Sequence, residues 1–283
     1  MILDYVMLFF TYKKLKHTAM NLQEITTEIG EIAKDAGAFI KSQQFKITPD
    51  DVKIKEKASL VTYVDKESEK MIVERVKKIL PDAGFITEEG TTTQEKGETY
   101  QWIIDPLDGT TNFIHDLCPH SVSIALTKNN IPISGVVYDI GQDELFSAWK
   151  DGGAWMNGKR IFVSKVSTHV DALIATGFPY YNFDVLDKYI EALKFFMIET
   201  QGIRRMGSAA VDLAYLACGR YDGFFEHALH AWDIAAGIIM VKEAGGKICD
   251  FKGGDNYLFG GEIIAANPNY FSEFSKKIQK FLE

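Results

Sequence analysis

Two aspartates, Asp105 and Asp108, sit in the segment Ile103-Ile104-Asp105-Pro106-Leu107-Asp108-Gly109-Thr110-Thr111-Asn112. Two carboxylates converging at a strand end, together with a turn carbonyl, make a hard oxygen site of the kind Mg²⁺ takes. Gly109 would let the backbone approach a ligand closely. The N–H groups of Gly109 and Thr110 could face a phosphate, and the Thr110 hydroxyl could hold a water. The plainer alternative is an Asx-turn with exposed carboxylates, since Asp-Gly turns are common. A third chemistry, an aspartyl-phosphate mechanism, needs a single residue between nucleophile and acid. Pro106 and Leu107 both intervene here, so the spacing argues against it.

Other acids are less telling alone. Glu88-Glu89 follows the short apolar pair Phe85-Ile86. At a strand end neighbouring side chains point to opposite sides. One glutamate could therefore face a metal while the other touches a second metal or polarises a water; adjacent glutamates are otherwise solvated surface charge. Asp233, in Trp232-Asp233-Ile234-Ala235-Ala236-Gly237, begins an apolar helix and reads equally as an N-cap or a ligand. Asp65 begins another helix with the same ambiguity. Small Ala235, Ala236 and Gly237 would let the end of the Asp233 helix pack closely against the site. His227 and His230 have no third soft ligand near them in sequence, and Cys118, Cys218 and Cys249 are widely spaced, so no zinc or redox pair is expected. The cysteine usage suits a reducing, cytoplasmic setting.

These residues need elements to position them. Ile25, Ile29, Ile32, Ala33, Ala36 and Ile40 repeat at helical spacing over 24–44. Residues 51–64 read as extended, and Asp65 to Leu80 as a helix stopped by Pro81. Phe85-Ile86 is a strand delivering Glu88. Trp102 to Ile104 is a strand delivering Asp105 and ending at Pro106, which cannot donate to a continuing ladder. Ser121–Thr127, Ile133–Tyr138 and Glu144–Trp149 form an antiparallel meander. Strands follow at Leu173–Thr176, Phe224-Phe225, 247–250 and 263–266, with helices at 185–200, 208–217, 233–244 and 271–281. The layers are mixed α and β, with two halves meeting near residue 165.

The chain has 283 residues, 46% of them hydrophobic, enough for a sizeable core, and a net charge of -8. The acidic balance argues against a general nucleic-acid or anionic-membrane surface. Ile2 to Phe10 is apolar but broken by Asp4 and too short to span a bilayer. Lys13, Lys14 and Lys16 follow that run rather than precede it, unlike a secretory signal. The sequence changes character at Met20. Residues 1–19 read either as an extension upstream of a natural start at Met20 or as a genuine packed or frayed segment.

Glu88-Glu89, the Asp105 to Asn112 stretch and the Trp232 to Gly237 stretch, in that order, resemble the motifs of the inositol monophosphatase family, in the larger group that includes fructose-1,6-bisphosphatases. The likeness runs from about Glu24 to about Ala266, and the joint occurrence is highly specific. Gly202 to Ala210 also looks like the family's substrate loop. The resemblance implies a mixed α/β (α+β) fold over residues 20–283, a layered α-β-α-β-α sandwich of the sugar phosphatase type, in a homodimer. It implies two or three Mg²⁺ ions held by Glu88, Asp105, the Leu107 carbonyl, Asp108 and Asp233. Asp65, Glu88 and Thr110 would surround the attacking water, with Glu89 and Lys55 beside the cluster. Substrate contacts would come from Glu88, Leu107, Asp108, Gly109, Thr110 and Asp233, and, around the ring, from Gly207, Ser208, Ala209 and Glu226. Gly90 departs from the serine common there in the family. Arg204 and Arg205 read as structural or interface residues.

The function so implied is Mg²⁺-dependent, lithium-sensitive hydrolysis of inositol monophosphate by metal-activated water, without a phosphoenzyme. The partner is a small phosphate monoester, with no membrane involved. The alternatives are a related phosphatase acting on fructose-1,6-bisphosphate, NADP or histidinol phosphate, and a non-catalytic regulatory protein on the same fold. The intact carboxylate set argues against the last.

Overall fold

The computed structural model describes residues 20–56, 59–93, 99–179 and 182–282, so the extension 1–19 lies outside the described residues. Two sheets carry the fold. The larger holds β3 (Gly84–Thr87), β4 (Tyr100–Asp108), β5 (Ser121–Lys128), β6 (Ile131–Asp139), β7 (Glu144–Trp149), β8 (Gly153–Met156) and β9 (Lys159–Ile161), in that spatial order. Only β3 and β4 are parallel; the rest is a meander. The smaller sheet runs β11 (Gly202–Arg204), β10 (Leu173–Thr176), β12 (Gly223–His227), β14 (Glu262–Ala266), β13 (Lys247–Cys249). A separate hairpin pairs β1 (Lys53–Glu56) with β2 (Ser59–Val61).

Period-two alternation along the strands builds the layers. On β4, Trp102 and Ile104 face one way and pack under α1 (Leu22–Gln43) and α2 (Tyr63–Ile79), together with Ile29, Ile32, Ile72 and Val76. Ile103 faces the other way, towards α5 (Ala209–Ala217) and α6 (Ala231–Glu243). Those two helices are filled on their other side by Ala175, Phe224, Ile263 and Ala265 of the smaller sheet. Ile174, Phe225 and Ile264 then point outward against α4 (Leu186–Glu199) and α7 (Phe271–Leu282), where Tyr189, Phe196 and Phe274 close the last layer. The result is the α-β-α-β-α sandwich, with α3 (Thr110–Ile114) as a short turn of helix beside it. No helix among the described residues is long and apolar enough to cross a membrane.

The small residues expected near the start of α6 have a packing role. A side chain at Gly237 would sit 2.5 Å from Leu213 of α5, and one at Gly135 of β6 would sit 2.9 Å from the Ala236 Cα. The helix thus lies directly on the sheet.

Strand β4 does not end at Pro106. It continues to Asp108 through a register break: Asp105 pairs with Ser123 and Asp108 with Ser121. Two residues on β4 therefore face only Val122 on β5, and proline is tolerated because a bulge leaves a ladder position unpaired. Strands β8, β9 and β11 and helix α3 were not expected from periodicity, being too short to show one. A local signal did exist for β8–β9: Asn157-Gly158 turns with φ of 48° and 74°, the conformation that favours Asn-Gly in tight hairpins.

Candidate active site

The register of β3 on β4 sets the site. Ile86 is opposite Ile103 and Thr87 opposite Ile104, so the next pair is Glu88 and Asp105. The Glu88 N–H still donates to the Ile104 carbonyl, at 3.2 Å. Both side chains therefore emerge on the Ile103 face, towards α6. There they meet Asp233, which α6 carries in its first turn. One oxygen each from Asp105, Asp108 and Asp233 lies within 4.8 Å of the others. Glu88 hydrogen-bonds with Asp105 and acts by charge on Asp108 and Asp233 too.

Each carboxylate is held by donors from its own surroundings. Asp105 Oδ1 accepts from the Leu107 N–H at 3.0 Å across the bulge. Asp108 Oδ2 accepts from Ser208 Oγ at 2.7 Å and the Ala210 N–H at 2.8 Å, both at the start of α5. Neither Asp65 nor Asp233 is an N-cap. They sit at the third helical position, where a carboxylate closes a capping box. Asp233 Oδ2 accepts from the His230 N–H at 2.6 Å. Asp65 Oδ2 accepts from the N–H and hydroxyl of Thr62, at 2.8 and 2.7 Å, and its Oδ1 from the Thr110 hydroxyl at 2.9 Å. Thr110 also lies 3.1 Å from the Leu107 carbonyl. Capping thus uses one oxygen of each aspartate and leaves the second directed elsewhere.

The expected substrate loop closes the other wall. Asn112 Nδ2 donates to the Pro119 and Met206 carbonyls, at 2.7 and 2.8 Å, which brings Gly109 against Gly207. Ser208 caps α5, its Oγ accepting from the Val211 N–H at 3.3 Å, and Ala209 is buried behind it. Glu226, at the end of β12, is buried against Gly177, where a side chain would fall 1.7 Å from its Oε1. Glu89 follows in the bend after β3, its N–H donating to Glu69 Oε2 at 2.7 Å. Lys55 belongs to β1, and its side chain lies outside the described residues.

Three residues not singled out as site residues in the sequence reading join this region. Glu69 is fully buried, one helical turn after Asp65 on the same face of α2. Asp212 is buried within the otherwise apolar α5, near Glu226 and Asp108. Arg205 acts by charge on Asp108, Asp212 and Glu226, and its guanidinium lies 5.7 Å from the centre of the Phe178 ring. The available signals were the Asp65–Glu69 helical spacing and an acid inside an apolar helix.

The electrostatics favour a cation. Burial holds the Asp105 carboxyl well above the usual range, and the charges of Glu88, Asp108 and Asp233 push it further. Burial and then Asp108 do the same to Asp233. Asp108 is pushed up to about 6, chiefly by burial, despite the Ser208 and Ala210 donors. Glu226 is pushed up to about 8 by burial and then by Asp108, with Arg205 opposing. Asp65 is raised by burial, against the hydrogen bonds from Thr62 and Thr110. Clustered carboxylates presenting only oxygen donors fit Mg²⁺ or a similar hard divalent ion.

This arrangement makes metal-free stability pH-dependent. Acids whose folded pKa is raised favour the fold fully below their unfolded values, and that contribution is lost as pH rises through the folded ones. The melting temperature of EDTA-treated protein should therefore fall between about pH 5 and 8. The stabilisation by added Mg²⁺ should grow over the same interval, because the ion binds deprotonated carboxylates. Calorimetry at several pH values with and without Mg²⁺ checks this; a metal-induced gain that stays constant across the interval contradicts it.

Comparison with known proteins gives a concordant result. The model of the inositol monophosphatase family matches residues 21–282. The chain is 44% identical over 222 residues to Nus factor SuhB of Pasteurella multocida, covering 78% of this chain and 83% of that protein. It is 40% identical over 229 residues to inositol-1-monophosphatase of Rhizobium meliloti, covering 81% and 86%. Among solved structures, the extragenic suppressor protein suhB from Bartonella henselae superposes with a TM-score of 0.86 at 38% identity, covering 91% of this chain and 99% of that one. Inositol monophosphatase from Anabaena gives 0.82 at 35% identity, covering 93% and 98%.

Proposed function

This chain belongs to the inositol monophosphatase family, and on that premise we propose that it is a Mg²⁺-dependent phosphate monoester hydrolase acting on inositol monophosphate. The observation that carries the proposal is the convergence of Asp105, Asp108 and Asp233 within 4.8 Å. With Glu88 and the Leu107 carbonyl they would hold two or three Mg²⁺ ions. Bound ions supply the positive charge that lets a phosphate dianion enter an acidic pocket, and Lewis acidity towards the attacking water and the leaving oxygen.

The chain's own groups do the rest. The Thr110 hydroxyl donates a hydrogen bond to Asp65 Oδ1, at 2.9 Å, so its oxygen is left to accept from an attacking water. Asp65 is prevented from turning by two bonds from Thr62. Glu88 is a second acceptor for that water, and together the two acceptors orient it for in-line attack. Helix α3 begins at Thr110, and its first N–H groups lack partners within the helix, so phosphate oxygens suit them. Gly207, Ser208 and Ala209 would flank the ring, with Glu226 against a ring hydroxyl.

Lithium would inhibit by displacing a weakly held Mg²⁺. A homodimer accords with the exposed apolar face of α4, where Ile190, Met197 and Ile198 are 53%, 69% and 68% exposed. A second reading, a phosphatase for a bisphosphate such as fructose-1,6-bisphosphate, has Arg205 in its favour as a cation beside the pocket.

Phosphate release across a panel of sugar phosphates and nucleotides, with Mg²⁺ and with EDTA, tests both. Inositol monophosphate should be the best substrate, with release falling to background in EDTA. Preference for the bisphosphate would support the second reading, and no Mg²⁺-dependent release from any member would remove the hydrolase assignment.

A further inference from the structure

Helix α2 presents Asp65, Ser68 and Glu69 on one face, all three fully buried. Residues three and four apart on a helix are neighbours, so these side chains form a single polar plate. Each reaches a different segment of the site. Asp65 holds Thr110. Ser68 donates to the Pro106 carbonyl in the β4 bulge, at 3.3 Å. Glu69 Oε2 accepts from the Glu89 N–H, and its Oε1 from the N–H and the hydroxyl of Thr91, all at 2.7 Å.

The Glu69 bonds enclose the segment just after Glu88. The chain turns there through Gly90, at φ 61°, so that the N–H groups of residues 89 and 91 converge on one carboxylate. Successive N–H groups in such a turn form an anion cradle. Here the anion is a side chain of the protein itself, and charge-assisted bonds of this length are strong. The Glu88 N–H is meanwhile held by the Ile104 carbonyl, next to Asp105. The main chain of Glu88 is thus pinned from both sides, to β4 by its own N–H and to α2 by the next one.

We propose that Glu69 is a positioning residue that fixes Glu88 against Asp105 and thereby sets the metal affinity of the site; this rests on the reading of Glu88 as a metal ligand. Glu69 differs from a merely structural acid in what its loss does. A structural acid lowers the melting temperature and leaves the affinity of the folded protein for metal unchanged. Glu69 loss lowers the affinity itself, because Glu88 is no longer delivered at the place Asp105 and Asp233 require.

The test is Mg²⁺ binding to the full chain by isothermal titration calorimetry, for wild type, Glu69→Gln, Glu88→Ala and Asp222→Asn. Glutamine keeps the size of Glu69 but turns an NH₂ group towards one of the N–H donors. Asp222 is a buried acid of the other half, accepting from Ser164 Oγ at 2.5 Å and the Leu173 N–H at 2.7 Å. It controls for general destabilisation. Glu69→Gln should weaken Mg²⁺ binding by about 10- to 100-fold, the usual cost of losing a partner that orients a ligand. Glu88→Ala should weaken it at least as much, and Asp222→Asn should leave it within about twofold while lowering the melting temperature.

Weakening by Glu88→Ala with wild-type affinity in Glu69→Gln overturns the role of Glu69 and leaves the site reading standing. Wild-type affinity in both overturns the reading of Glu88 and the role of Glu69 with it. Should Glu69→Gln not fold, hydrogen exchange in metal-free wild type takes its place. The Glu89 and Thr91 amides should be protected, and exchange at free-loop rates overturns the proposal. Thr91→Val, which removes only the hydroxyl donor, should weaken Mg²⁺ binding by about threefold.

Discussion

Asp105→Asn should lower phosphate release at saturating substrate and Mg²⁺ by more than about a hundredfold, since the loss of an outer orienting partner alone reaches that range. The substitution keeps the shape of the side chain and an oxygen for the Leu107 N–H, which bonds to Asp105 Oδ1 at 3.0 Å. It removes one negative charge from the centre of the carboxylate cluster. The two effects separate cleanly in stability. Burial and the charges of Glu88, Asp108 and Asp233 all oppose ionisation of Asp105. Its neutral replacement should therefore leave metal-free protein melting no lower than wild type, and higher near pH 8. A variant that is inactive, binds Mg²⁺ weakly and yet melts at or above the wild-type temperature without metal has the behaviour of a lost ligand. Near-normal turnover would show that Asp105 is not one.

Gly109→Ala should cost about 1–3 kcal/mol of stability and about a hundredfold in turnover, the price of a displacement near 1 Å at reacting groups. Gly109 has φ of +92°, where an L side chain is strained. A Cβ there would also meet the Pro119 carbonyl oxygen at 3.0 Å, the Gly207 carbonyl oxygen at 3.1 Å and the His120 Cα at 3.4 Å. All three are backbone atoms, so no flexible side chain can yield. Relief requires moving either the start of α3, with Thr110, or the Gly207–Ser208 segment, whose Ser208 hydroxyl holds Asp108. The melting temperature should fall by about 2–4 °C per kcal/mol for a chain of this size. Thermal unfolding and steady-state kinetics on the same preparation check both parts. Turnover within about threefold of wild type would mean that the two walls of the pocket are not coupled through Gly109.

Much of this was legible in the residues. Asp105-Pro106-Leu107-Asp108 is a local pattern, and the number of residues between two acids decides whether both can serve as ligands or one must act as nucleophile. The helices α1, α2 and α7 and the meander β5–β7 carry apolar periodicities that reflect a buried face, which is a local property too. Strands β8, β9 and β11 are too short for such a pattern, and their pairing comes from neighbours.

The sequence by itself determined the residue types of the candidate site: several carboxylates, a hydroxyl beside them and a glycine at the turn. The tertiary structure decided the geometry. It carried β4 past Pro106 through a bulge, because the neighbouring strand could leave a ladder position unpaired. It put Asp65 and Asp233 at the third helical position, with one oxygen occupied by capping. It also brought Glu69, Asp212 and Arg205 to the site, where the local marks, a helical spacing and an acid in an apolar helix, do not say what each side chain contacts. The physical reason is common to all of these. Which oxygen of a carboxylate is used, and whether water can reach it, depends on contacts between residues far apart in the chain, and local propensity carries no information about those.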